Sequence, residues 1–210
     1  MGQKINPVLF RVGEFLPWKS RWFFDDKKYK DFLVEDIRIR KMLMEDLKVA
    51  GIDRVEIERL QKSMVITLVV SRPGVVIGRG GSGLEAIKAK VLKKMKTNLK
   101  IDLKVQEIRE PELSARLVAV RIVGELERRI PHRRVVTKAM ERVMESGALG
   151  VKIVVGGRIG GADIARTEKF QTGSVPTQTL RKNIDYAQVP ALLKRGYVGI
   201  KVWIHKENEK

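Results

Sequence analysis

The stretch Val75-Val76-Ile77-Gly78-Arg79-Gly80-Gly81-Ser82-Gly83-Leu84-Glu85 sets three glycines around one arginine, ahead of an apolar repeat at Leu84, Ile87, Val91 and Met95. Holding a phosphate is the chemistry such residues support. Bare backbone lets N–H groups approach an anion, and the helical spacing that follows puts the positive end of a helix dipole directly behind the loop. Ser82 and Glu85 stand at capping-box spacing. A second basic constellation is formed by Arg134, Lys138 and Arg142 at four-residue intervals, with Arg133 alongside. A solvated helix face and a phosphate contact are both open readings of that stripe. The chain has no cysteine and two histidines, His132 and His205, which leaves no disulfide framework and no zinc set. Both histidines are read as incidental. No grouping of nucleophile, base and acid supports an enzyme, so no catalytic residue, metal ligand or cofactor is expected.

Three chemistries compete for the glycine loop. Gly78, Gly80 and Gly83 satisfy a dinucleotide fingerprint, with Asp102 standing where a ribose-binding acid is sought. Arg72-Pro73-Gly74 breaks the strand that should feed it, however, and Asp102 begins a strand instead of ending one. A Walker loop requires Lys and then Ser or Thr after the last glycine, where Leu84 and Glu85 stand. The remaining reading is the GXXG loop of a KH domain, Gly78-Arg79-Gly80-Gly81, which clamps single-stranded nucleic acid by its backbone.

Charge supports that reading. Forty-three Lys and Arg against 25 Asp and Glu leave a net charge of +18, an imbalance that calls for a polyanionic partner. No apolar run approaches the roughly 18 residues of a membrane span, so nucleic acid is preferred to a membrane. The absence of cysteine suits a cytosolic, reducing compartment.

The elements that must position these residues follow from periodicity. Residues 1–37 read as an arm and the start of the first helix, with Lys4, Arg11, Lys19 and Arg21 interleaved with Phe10, Trp18 and Trp22. Stacking on bases and pinning the arm to its own domain are equally open to those aromatics. From Lys28 to Ala50 the pattern is helical, with Leu33, Ile37, Met42, Leu43 and Leu47 on one stripe and Gly51 as the stop. Val55–Leu60 and Met64–Ser71, joined by Gln61-Lys62-Ser63, read as an antiparallel hairpin, and Ile101–Ile108 as a third strand. Residues 38–108 thus run helix, strand, strand, loop, helix, strand, an α+β layer.

Arg109-Glu110-Pro111 marks the boundary to a second α+β domain, residues 109–210, for which a mixed sheet is expected. Leu113, Leu117, Val120 and Leu126 form the buried stripe of a helix stopped by Ile130-Pro131. The next helix turns Val136, Ala139, Met140 and Val143 inward and ends at Gly147. Val151–Val155, Thr167–Phe170, Asn183–Gln188 and Tyr197–His205 read as strands, and Gly156 to Gly161 as a second glycine cluster serving turns.

Several motifs in one order carry a resemblance across nearly the whole chain. They are Met1-Gly2-Gln3-Lys4-Ile5-Asn6-Pro7, the Trp18 to Phe23 segment, Arg72-Pro73-Gly74 with Gly78-Arg79-Gly80-Gly81, Leu126-Glu127-Arg128-Arg129, Gly157-Arg158-Ile159-Gly160-Gly161-Ala162, Ala165-Arg166-Thr167-Glu168, Thr179-Leu180-Arg181 with Ile184-Asp185-Tyr186, and Gly199-Ile200-Lys201-Val202-Trp203-Ile204. Together they resemble the bacterial small-subunit ribosomal protein three family. The resemblance implies a type II KH domain followed by a second α+β domain. It further implies a ribosome-bound, cytoplasmic structural protein seated in the head of the small subunit. Its implied partners are ribosomal RNA, messenger RNA at the entry pore, and small-subunit proteins ten and fourteen.

For the residues, the resemblance implies an RNA-binding loop at Gly78, Arg79, Gly80 and Gly81, and a messenger entry patch at Arg133, Arg134 and Lys138 that assists unwinding. Lys4, Arg11, Lys19, Arg21, Arg158 and Arg166 are further expected ribosomal RNA contacts. The chain departs from the family pattern in carrying one basic residue in the GXXG loop and Thr137 where lysine is common. The aromatic expected after Thr167-Glu168 is displaced to Phe170, and Ala187 to Arg195 follows no assignable pattern. A free-standing KH regulator of messenger RNA is the alternative function.

Overall fold

The computed structural model describes residues 4–60, 63–95 and 100–207; the Met1-Gly2-Gln3 start and Gln61-Lys62 of the hairpin turn lie outside them. The chain forms two compact units, one of Trp18–Arg109 and one that joins the arm up to Pro17 to the chain from Glu110 onward. The arm therefore divides, its first part serving the second unit and its remainder the first.

In the first unit the order is β1 (Ser20–Arg21), α1 (Asp26–Asp46), β2 (Ile52–Arg59), β3 (Ser63–Val70), α2 (Pro73–Ile77), α3 (Ser82–Lys94) and β4 (Lys100–Glu107). The sheet runs β1-β2-β3-β4. β2 and β3 are antiparallel with Ile57 opposite Ile66, whereas β1 lies parallel to β2 and β4 parallel to β3. Ile39, Leu43, Val55, Ile57, Met64, Ile66, Leu68, Val76 and Val91 form the core, each large side chain contributing about 1.5–3 kcal/mol by leaving water. The expected α1 stripe is only half realised: Met42 and Leu43 are buried, but Leu33 and Ile37 are exposed. Glu35 and Asp36 occupy the inner face there, because both pair with the buried Arg59. α2 occupies a segment that pattern alone assigned to loop. Pro73 starts it, since proline's fixed φ and missing N–H suit a first helical turn.

The second unit runs α4 (Ala115–Glu127), α5 (His132–Glu145), β5 (Gly150–Gly157), β6 (Arg166–Gly173), β7 (Asn183–Leu193) and β8 (Gly196–Lys206). Its sheet, ordered β6-β5-β8-β7, is antiparallel throughout. Mixed strand directions belong instead to the first unit, where α2 and α3 cross between the parallel pair β3 and β4; here both helices precede all four strands, which then connect by antiparallel returns. α4 is capped by Ser114, whose Oγ accepts from Leu117 N at 3.3 Å, and by Asp185 Oδ2, which accepts from Ala115 N at 2.9 Å. Val118, Ile122 and Leu126 face the core while Val120 is exposed. The unassigned stretch from Ala187 is the far half of β7, with Pro190 on an edge strand where its missing N–H is tolerated.

Candidate nucleic-acid interface

The glycine loop is built by two pairs of glycines doing different work. α2 ends at Gly78 with φ 71°, and a Cβ there would lie 2.9 Å from Gly83 N. A Cβ on Gly83 would lie 2.4 Å from Val76 O, so these two glycines let the helices close on each other. Gly80 and Gly81, with φ of 61° and 85°, face open space. Their backbone, exposed at Gly80 and partly exposed at Gly81, lies at the N-terminus of α3, where a helix dipole favours negative charge. Arg79 is exposed and forms no ion pair among the described residues. The capping box does not form. Gly81 is the N-cap, and Ser82 Oγ donates back to Arg79 O at 3.0 Å, because Ser82 already lies inside the helix.

α5 buries Val135, Val136, Ala139 and Val143 and leaves Met140 half-buried. Arg134 and Lys138, one turn apart, are exposed on the opposite side and form no ion pair among the described residues. Arg133 leans toward β6, where its Nε lies 3.5 Å from Glu168 Oε2. The same oxygen lies 3.0 Å from His132 Nε2. The His132 hydrogen bond, with charge from Arg133 added, lowers the pKa of the Glu168 carboxyl. His132 is thus part of the seating of α5 and not incidental. The structure brings Arg134 and Lys138 together as free cations and leaves Arg133 partly neutralised.

The six further basic residues separate sharply. Arg11 is 1% exposed, and its guanidinium donates to Pro7 O and Thr179 O at 2.8 Å, Lys182 O at 2.8 Å and Thr177 O at 3.2 Å. This corrects the expectation of an RNA contact: the side chain closes the arm onto the 177–182 turn, and burial lowers its pKa. Arg21 pairs with Glu58 at 3.2 Å, and Arg158 donates to Ala162 O at 2.9 Å and Asp163 at 3.0 Å, holding its own glycine loop. Lys4, Lys19 and Arg166 are exposed. Of the arm's aromatics, Trp22 is pinned, with Nε1 donating to Asp36 Oδ2 at 2.7 Å and its ring 5.1 Å from Tyr29, whereas Trp18 is exposed.

A further group, which no single stretch of the sequence brings together, lies on the face of the second sheet away from α4 and α5: Lys152, Lys169 and Lys201, with Tyr186 and Trp203. Its only signal is alternation along separate strands, which becomes a surface once their register is known.

Comparison with known proteins matches residues 38–113 to the KH domain model and residues 122–204 to the model of ribosomal protein S3, C-terminal domain. The chain is 47% identical over 206 residues to small ribosomal subunit protein uS3 of Caldicellulosiruptor saccharolyticus, covering 98% of this chain and 92% of the relative. It is 48% identical to the same-named protein of Persephonella marina and 45% identical to that of Coxiella burnetii, in each case over 98% of this chain and 90% of the relative.

Proposed function

Because the chain belongs to the small ribosomal subunit protein uS3 family, and is thus a structural, non-enzymatic constituent of the small subunit with ribosomal RNA as a partner, we propose that its α5 patch receives messenger RNA at the subunit's entry pore. The observation that carries this reading is the pair Arg134 and Lys138, exposed one turn apart and forming no ion pair among the described residues, at the N-terminal half of a helix whose dipole adds positive potential. Such a patch attracts phosphates of an unpaired strand and does no bond-making chemistry. Translocation supplies the work of unwinding, while the patch holds the strand already opened. Arg133 contributes less than its neighbours, since Glu168 already offsets it.

In the same reading the protein sits in the head of the subunit beside small-subunit proteins ten and fourteen, in the cytoplasm, with the loop Gly78 to Gly81 against ribosomal RNA. Lys4, Lys19 and Arg166 are the remaining exposed cations for ribosomal RNA. Replacing Arg133, Arg134 and Lys138 by alanine leaves incorporation into subunits and translation of unstructured messages intact and slows elongation through a stable hairpin. Equal slowing on paired and unpaired templates assigns the patch to assembly, and no slowing on either returns it to solvated surface. Sedimentation of the protein with ribosomes separates this reading from that of a free-standing KH regulator.

A further inference from the structure

The second sheet has one face covered by α4 and α5; on the other, Ile184 and His205 are buried at one end, where His205 Nδ1 lies 2.9 Å from Ser174 O, and the rows beyond them are at least partly exposed. Val151, Ile153, Val155, Val198, Ile200, Val202 and Ile204 are buried on the helix side, which sends Lys152, Val154, Lys201 and Trp203 to the other. Strand register then sets two rows across all four strands. In one, Gln171, Lys152, Trp203 and Tyr186 lie side by side; in the next, Lys169, Val154, Lys201 and Gln188 do. Among the described residues of these strands the carboxylates are Glu168 and Asp185. They pair in register with Val155 and Ile204 and therefore point to the helix side. The open face is purely cationic in these rows.

Its centre is aromatic. The Tyr186 and Trp203 rings lie 5.1 Å apart at 40°, and Lys152 Nζ sits 5.6 Å over the indole. Burial, and then the nearby charges of Lys4 and Lys169, lower the Lys152 pKa, and an arriving polyanion relieves the repulsion of Lys152 by those two neighbours.

We propose that this open sheet face is a second nucleic-acid surface, separate from α5, which binds single-stranded RNA by base contact with Trp203 and Tyr186 and phosphate contact with Lys152, Lys169 and Lys201. Aromatic rings flanked by cations on a sheet suit bases and phosphates together, whereas an acidic protein would use the charges and leave the rings without a planar partner. The inference is independent of the messenger patch, because α5 covers the opposite side of the sheet.

The test measures binding of a short oligouridine to the full chain across a range of salt, both in the parent and with Arg133, Arg134 and Lys138 already replaced by alanine. Exchanging Lys152, Lys169 and Lys201 together for glutamine reduces the slope of log K against log salt by about 2 in both backgrounds, at about 0.7 per phosphate contact. Trp203→Leu weakens binding by between about fivefold and a hundredfold and leaves the slope in place, since stacking releases no counterions. Photocrosslinking should place the RNA on the peptide containing Trp203. Unchanged slope and affinity in the glutamine variant overturn the proposal, and this variant decides even if Trp203→Leu fails to fold. Equal binding of poly-glutamate with the same residue dependence also overturns it, identifying an acidic protein as the occupant.

Discussion

Glu168 on β6 holds His132 at the first turn of α5, with 3.0 Å between Oε2 and Nε2, and reaches Arg133 with the same oxygen at 3.5 Å. One carboxylate thus seats the helix and restrains the first cation of its basic face.

Because the folded state lowers the Glu168 pKa, its contribution to stability is present above the ordinary carboxylate value of about 4.3 and is lost as pH falls through the lower folded value. Glu168→Gln should therefore melt below the parent at neutral pH, and the two melting temperatures should converge under strong acid. The same variant frees Arg133. RNA bound at α5 should then show a salt slope steeper by up to about 0.7.

Asp36→Ala removes the partner of a guanidinium with no exposed side-chain surface, as well as the acceptor of the Trp22 indole. An unpaired buried charge of this kind destabilises by about 3–5 kcal/mol, here toward the lower figure because Glu35 still pairs with Arg59 at 3.2 Å. Urea unfolding of the variant measures the loss. Replacing all three charged groups, Asp36→Leu with Arg59→Met and Glu35→Gln, should recover much of it, short of the hydrogen bond lost by the Trp22 indole.

Arg11→Lys keeps the charge and loses the planar fork that reaches four carbonyls. A loss of about 2–4 kcal/mol is expected from unpaired buried acceptors. Binding of ribosomal RNA fragments should keep its salt slope, which separates an internal clamp from a phosphate contact; a reduced slope in a folded variant would count against the clamp.

Gly83→Ala and Gly80→Ala should part company. The first drives a Cβ to 2.4 Å from Val76 O, an overpacking expected to cost about 3 kcal/mol in thermal melts. The second meets open space and carries only the left-handed backbone penalty of about 1 kcal/mol. Gly80→Asp then examines the loop chemically: it should fold and bind RNA more weakly, and unchanged binding would remove the loop from the contact surface.

With aromatic residues only 6% of the chain and a net charge of +18, overall affinity for single-stranded RNA should come mainly from phosphate neutralisation. A slope steeper than about −2 in log K against log salt is expected. A nearly flat titration would assign the affinity to stacking.

What the sequence determined by itself were features written locally. The GXXG loop, the hairpin of β2 and β3, the left-handed turn at Gly51, the basic spacing on α5 and the net charge each depend on residues close together in the chain, through backbone freedom and periodicity, although α1 itself ends earlier, at Asp46. The motif order was enough to carry the family resemblance. Tertiary structure decided what depends on partners far apart. Arg11 reads as one more cation of a basic arm until carbonyls about 170 residues away close around it. Leu33 and Ile37 fit a helical stripe, but Arg59 draws Glu35 and Asp36 to the inner face and turns that stripe outward. The lysines of β5, β6 and β8 become a surface only through strand register, because neighbouring side chains on a sheet come from different strands and no window of the chain contains them together.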